Sequence, residues 1–304
     1  MEQQQQQQSN QRSAVALLLL FGGLFLLFFG LVVSAATALQ SGQPNADGPA
    51  VGVVEITGVI EDATPVMEAL RDFADDDEIK GILMRVDSPG GAVGPSQEIY
   101  TEVVRTRARK KVVASLAGTA ASGGYYAICG ADRIVANPGT LTGSIGVITE
   151  IAQLDQVLGL LRVNTETFKS GELKDTGSPL RPLAPADRAL LQGVVDNIYE
   201  QFRTTVLQER KLTPEALALI RDGRVLTGQQ AKELGLVDEL GNLHDAVAQL
   251  VTLAKLEGSP RLVHRKKKTD ELIRELIDQG VGSLTQAMDR HLRPRMELRL
   301  PEGF

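Results

Sequence analysis

From residue 51 onward, short apolar runs of strand length alternate with segments of helical period, and this alternation most restricts how the chain can fold. Runs at 51–60, 81–87, 111–117, 133–136, 144–148 and 163–169 read as strands. Helical spacing occupies 65–73, 95–107, a segment opening at Ser122, and then 185–208 and 214–221. Strands alternating with helices are joined as βαβ units with right-handed crossovers, so the predicted class is α/β with a largely parallel sheet. A chain of 304 residues, 43% of them hydrophobic, has ample material for the core of such a domain. No internal repeat is evident.

What precedes and follows that body differs in composition. Residues 1–12 are a Gln-rich head of disordered type. Residues 13–39 carry no charge and are built from Leu, Phe, Val, Gly and Ala. A bilayer needs about 20 such residues, so this run is long enough to span with some tilt. Ala36-Thr37-Ala38 resembles a cleavage site and leaves a removed signal peptide as the rival. Signal-peptide apolar cores run about 7–15 residues, however, and this one is longer, which favours a retained anchor. Arg12 is the one positive charge before the span and none follows until Arg71. The positive-inside rule then puts the head in the cytoplasm and the body outside, as in a single-pass protein of the cell (inner) membrane. Residues 40–49 read as a linker, 50–256 as the folded domain, and 257–304 as a basic extension. The extension holds His264-Arg265-Lys266-Lys267-Lys268, an amphipathic helical segment at 271–277 and an end rich in Arg and Pro. The basic cluster reads as solvated surface or as contact with anionic lipid headgroups beside the anchor.

Several function classes are disfavoured. A net charge of −6 argues against a nucleic-acid surface spread over the protein, and the absence of Trp argues against a base-stacking platform. The single cysteine, Cys129, forbids an intramolecular disulfide and lies in a small apolar run, where it reads as a buried hydrophobe. His244, His264 and His291 stand in no H-E-x-x-H pattern and there is no Cys cluster, so no metal is expected.

Three segments are candidates for chemistry. Asp87-Ser88-Pro89-Gly90-Gly91 ends an apolar strand; its glycines suit a tight turn or a close approach of another backbone, with N–H groups available as donors. Gly118-Thr119-Ala120-Ala121-Ser122-Gly123-Gly124 places a serine between a strand and a helix, where an α/β fold can expose a nucleophile, or where a serine simply caps the helix. It departs from the G-x-S-x-G elbow, since Ala120 stands at the first glycine position. Lys169-Ser170-Gly171-Glu172-Leu173-Lys174-Asp175 carries lysines that read as surface charges unless burial or other cations lower their proton affinity.

Together these segments resemble the signal peptide peptidase A family in its short form and, more distantly, the Clp protease and crotonase superfamily. The resemblance runs from about residue 50 to 254. It takes in Leu141-Thr142-Gly143-Ser144-Ile145-Gly146, Asp222-Gly223-Arg224-Val225 and Ala231-Lys232-Glu233-Leu234-Gly235-Leu236-Val237-Asp238 as well. It implies a crotonase-like (Clp protease-like) spiral of ββα units without a cofactor. It implies Ser122 as nucleophile, Lys174 as general base, Ser144 as the hydroxyl that holds the lysine in line, and an oxyanion hole from the N–H of Gly123 with that of Gly91 or Gly90. It further implies peptide substrates, signal peptides in or near the membrane among them. It also implies a homo-oligomeric ring in which neighbouring subunits supply Ser and Lys to one site. Glu172-Leu173 departs from the more polar or aromatic approach expected before the lysine. Rival readings are a stomatin-type membrane serine protease, an acyl-CoA hydratase or isomerase of crotonase type, and a catalytically dead membrane scaffold. The first usually carries further spans, the second needs acidic catalytic residues near the glycine turn, and the third leaves Ser122, Lys174 and Ser144 idle.

Overall fold

The computed structural model describes residues 48–265 and the strand at 296–299. The apolar run at 13–39 and the amphipathic segment at 271–277 lie outside the described residues, and among the described residues no helix is long and apolar enough to cross a membrane. In chain order the elements are β1 (Ala50–Thr57), α1 (Thr64–Asp75), β2 (Ile79–Ser88), β3 (Gly90–Ala92), α2 (Val93–Arg107) and β4 (Lys111–Ala121). Next come α3 (Gly123–Ile128), β5 (Arg133–Ala136), β6 (Leu141–Gly143), β7 (Ile148–Thr149) and α4 (Asp155–Leu160). The chain continues through α5 (Pro185–Arg210), α6 (Pro214–Ile220), β8 (Val225–Thr227), α7 (Gly228–Glu233), β9 (Glu239–Leu240), α8 (Leu243–Leu253), β10 (Arg261–His264) and β11 (Met296–Arg299).

The central sheet has the order β10-β1-β2-β4-β5-β9 and every pair along it is parallel. Side chains alternate faces along a strand, and here both faces are apolar. Val54, Ile56, Ile82 and Met84 join Leu70, Phe73 and Ile99 of α1 and α2 in one cluster, while Val51, Val53, Leu83 and Val113 meet Ala246 and Leu250 of α8 in another. This double coverage explains why the strands read as nearly continuous apolar runs. At roughly 25 cal/mol per Å², fully burying such side chains supplies the main stabilisation of the fold.

Three departures from the predicted elements have local causes. The run at 144–148 is irregular up to β7, because Gly143 (φ 74°) and Ser144 (φ 50°) turn the chain out of the ladder. The run at 163–169 is not a strand; every residue from 161 to 170 is exposed and has no neighbouring strand to pair with among the described residues. The sheet is also mixed: β8 pairs antiparallel with β6, and β11 lies antiparallel to both β3 and β7 in a separate three-stranded sheet.

The long helix α5 is fixed by one end. Phe202 and Val206 are fully buried, the Phe202 ring lies 4.6 Å from that of Tyr126, and Glu209 accepts from Tyr100 and Arg107 at 2.9 and 2.7 Å. Its first half belongs to a different environment. From Glu150 to Glu200 only Gly177 and Asp187 are buried.

Candidate active site

The register of β4 brings two serines together. The first half of β4 pairs with β5, and its end pairs with β6 through Thr119↔Leu141, Ala120↔Thr142 and Ala121↔Gly143. Ser122 and Ser144 are each the residue just beyond that last pair, so they emerge side by side at the carboxyl ends of adjacent parallel strands. This is where open α/β sheets place ligand-binding groups. Backbone bonds fix both: Ser122 N–H donates to Gly143 O at 2.9 Å and Ser144 N–H donates to Arg224 O at 2.9 Å. Both have positive φ, 53° for Ser122 and 50° for Ser144. Side chains rarely tolerate that region, and such strain is retained where the surroundings over-determine it.

Ser122 is almost wholly enclosed, 1% exposed, and its hydroxyl has no hydrogen-bond partner among the described residues. It stands at the N-cap position of α3 but its side chain makes no cap bond, which removes the helix-capping explanation for this serine. An enclosed, unpaired hydroxyl is unfavourable by about 1–3 kcal/mol and calls for a cause. The first-turn amides of α3 begin at Gly123 and have no partner within the helix.

The Gly90–Gly91 corner approaches from β2. Ile60 runs alongside it, donating to Gly90 O at 2.9 Å and accepting from Ala92 N–H at 2.7 Å. A Cβ on Gly91 would sit 2.2 Å from Ile60 O, so only glycine fits. Gly90 N–H already donates to Ser88 Oγ at 3.1 Å. A Cβ on Gly124 would in turn meet Ser88 O at 2.8 Å, which shows how closely α3 is pressed onto the end of β2.

Lys174 makes no hydrogen bond to Ser122 within one chain. It is exposed and sits among tight turns, with Lys174 N–H donating to Gly171 O at 3.1 Å and Thr176 N–H to Leu173 O at 3.2 Å. The Ser122 hydroxyl therefore lacks the lysine as a partner here. On the Ser144 side a cavity of about 360 Å³ opens between residues 144–148, Arg221-Asp222-Gly223 and the middle of α5 at Val195 and Tyr199. Cys129 is fully buried, and burial raises its thiol pKa far above the ordinary range, so it behaves as a core residue. Among the described residues no group of His, Cys, Asp and Glu is arranged to hold a metal ion.

Sequence reasoning missed Asp187, buried at the start of α5 and bonded to Thr176 and Arg181. The signal was present: Pro185 at the first helical position and an acidic residue at the third mark a helix start.

Comparison with known proteins agrees with this geometry. Residues 105–257 match the model of peptidase family S49, and residues 53–138 match that of Clp protease. The α/β fold with its mixed sheet is thus Clp protease-like. The chain is 44% identical over 241 residues to slr0021 of Synechocystis sp., covering 79% of this chain and 86% of that one. It is 39% identical over 268 residues to Protease 4 of Salmonella typhi, covering 85% of this chain and 42% of that protein. It is also 33% identical over 248 residues to the chloroplastic serine protease SPPA of Arabidopsis thaliana, covering 79% and 36%. This chain thus spans less than half of those two longer relatives. With half the chain matched by one family model and most of it by these relatives, the protein belongs to peptidase family S49, as a serine peptidase of the signal peptide peptidase A kind.

Proposed function

We propose that the chain is a membrane-anchored serine endopeptidase in which Ser122 attacks the substrate and the partner subunit's Lys174 serves as general base. The observation that carries the reading is the Ser122 hydroxyl: strained, enclosed and unpaired at the end of β4. A lysine arriving from a neighbour supplies the missing partner. The exposed arm supports this arrangement, since 150–200 buries only two residues and leaves Leu160 and Phe168 at 85% and 92% exposure. Those side chains suit an interface in a homo-oligomeric ring.

In the reaction, neutral Lys174 takes the Ser122 proton as Oγ bonds to the peptide carbonyl carbon. The carbonyl oxygen becomes an oxyanion held by the N–H groups of Gly123 and Gly91, each donor worth about 3–4 kcal/mol in comparable sites. Gly90 N–H is bonded to Ser88, whereas Gly91 faces Leu298 of β11, in the place a substrate strand would take. Protonated Lys174 then passes its proton to the leaving amine as the C–N bond breaks. Water, deprotonated by the same lysine, cleaves the acyl-enzyme and returns the proton to Ser122. The Ser144 hydroxyl, beside Ser122, orients the lysine as a triad's third member would. The seat of β11 between β3 and β7 supports a substrate bound as an extended strand, by backbone pairing along the groove.

The anchor at 13–39 would hold the domain at the extracytoplasmic face, where spent signal peptides are within reach. The crotonase-like spiral of ββα units belongs to the same reading. The test is a fluorophosphonate probe followed by complementation. The probe should label Ser122. Ser122→Ala and Lys174→Ala, each inactive, should regain part of the activity when their subunits are exchanged. Absence of labelling removes the nucleophile. Mixed oligomers without activity place both groups in one chain.

A further inference from the structure

The turn that carries Lys174 is closed by charged side chains on both flanks. Lys169 Nζ donates to Asp175 Oδ1 at 2.7 Å and to Glu172 O at 2.8 Å, which ties off a loop with Lys174 inside it. Arg181 then grips the same aspartate by both oxygens, Nε to Oδ2 at 2.8 Å and Nη2 to Oδ1 at 2.9 Å. It also reaches the Asp187 carboxylate at 2.5 and 3.1 Å. Asp187 is itself held by Thr176 Oγ1 at 2.7 Å and by Ala184 N–H at 2.9 Å, at the first turn of α5. One guanidinium thus joins the lysine turn to the only buried carboxylate of the arm.

We propose that Arg181 is a positioning residue for the general base: it fixes the Lys174 turn on α5 and keeps the Asp175 carboxylate occupied. This rests on Lys174 being the base. A base lysine must shed its proton, and an opposite charge close by favours the protonated form. Asp175 is its neighbour in sequence and is the nearest such charge along the chain. With Lys169 and Arg181 on its two oxygens, that carboxylate is spent elsewhere. The other charged groups on the turn and on the first turn of α5 are Glu172, Asp187 and Arg188; Asp155 lies on the segment that bonds to Pro179 through Leu154 N–H. Two anions, Asp175 and Asp187, face two cations, Lys169 and Arg181, so the harness is neutral as a unit. It holds the turn without adding net charge near Lys174. Hydrogen bonds from Arg181 hold both aspartate carboxyls well below the ordinary carboxylate range.

The experiment measures kcat and KM against pH for the full-length enzyme in detergent, with a fluorogenic peptide. Arg181→Gln should move the acidic limb of the kcat profile to higher pH by about half a unit to one unit, as for a lysine beside an unmasked carboxylate. On that limb the loss is about three- to tenfold, recovering at alkaline pH, with KM unchanged. Arg181→Lys should recover part of the shift. Adding Asp175→Asn to Arg181→Gln should return the limb to its wild-type position, since the unmasked charge is then gone. An unmoved limb with kcat lowered evenly at all pH values would overturn the proposal, as would a double variant that behaves like the single one. If Arg181→Gln does not fold, Lys169→Met decides: it leaves both aspartates on Arg181 and should give a smaller shift of the same sign, and no shift would overturn the proposal. Activity retained in Lys174→Ala would instead remove the base reading and this proposal with it, so the two failures differ.

Discussion

Ser122 holds φ 53° and ψ −119°, a backbone state that L-residues avoid, and keeps a hydroxyl enclosed without a partner. Structure at this point has been set by something other than stability. Ser122→Ala should therefore abolish peptide cleavage while leaving the isolated body as stable as wild type, or about 1 kcal/mol more so, by urea unfolding. Activity at even a tenth of wild type would refute the nucleophile assignment. Ser144→Ala should be milder, because an orienting hydroxyl transfers no substrate proton. Gly91→Ala tests the corner from the other side. Its Cβ would lie 2.2 and 2.5 Å from the Ile60 backbone, so the strip must shift; overpacking of this kind costs about 1–3 kcal/mol and should also displace the oxyanion donor. A variant with normal stability and normal kcat would show that the corner is not built as described.

At the scale of elements, α5 is the informative one. Its last turns are clamped by Phe202 and Val206 while its first turns carry the lysine arm, so it behaves as a bracket with one fixed end. Phe202→Ala should cost about 3–5 kcal/mol in thermal or urea unfolding. Much of this layout could be read from the amino acids alone. Strands buried on both faces, such as β1 and β2, announce themselves as apolar runs, and Pro185 and Pro214 mark helix starts. Elements whose identity depends on a neighbour could not be read. Val163, Thr165 and Thr167 alternate like a strand, yet among the described residues no strand lies beside them to complete a ladder. The two-residue β9 exists only because β5 is there to pair with it. Of the candidate site, Ser122 and the two glycines stood out as residue types in a pattern, whereas Ser144 entered only through the family resemblance. That Ser122 and Ser144 stand together is a matter of register between β4 and β6, which no local pattern encodes. The Arg181 harness was invisible for a related reason: its partners are surface-type residues, and only folding shows that Asp187 is buried.

For the whole molecule, removal of residues 1–45 should leave a soluble, active peptidase, since the described domain begins at residue 48 and builds its core clusters from residue 50 onward. Loss of activity in detergent-free buffer would make the N-terminal run part of the working fold. The arm should also resist acid. Asp175 and Asp187 have folded pKa values below their ordinary 3.8, chiefly through Arg181. Their contribution is fully present above that value and is lost only as pH falls through the lower folded values. Limited proteolysis should thus find residues 165–190 no more susceptible at about pH 4 than at neutrality. Earlier cleavage on acidification would show the harness to be weak.

The scarcity of burial between Glu150 and Glu200 has a kinetic consequence. If one chain lends the nucleophile and another the proton acceptor, a lone subunit is a zymogen that needs no propeptide. Initial velocity should then rise more steeply than the first power of enzyme concentration at high dilution, becoming linear once assembly saturates. Freshly diluted enzyme should lose activity with the time course of dissociation. If copies are anchored in a membrane and share two dimensions, the same dependence would make local crowding of the peptidase its on-switch.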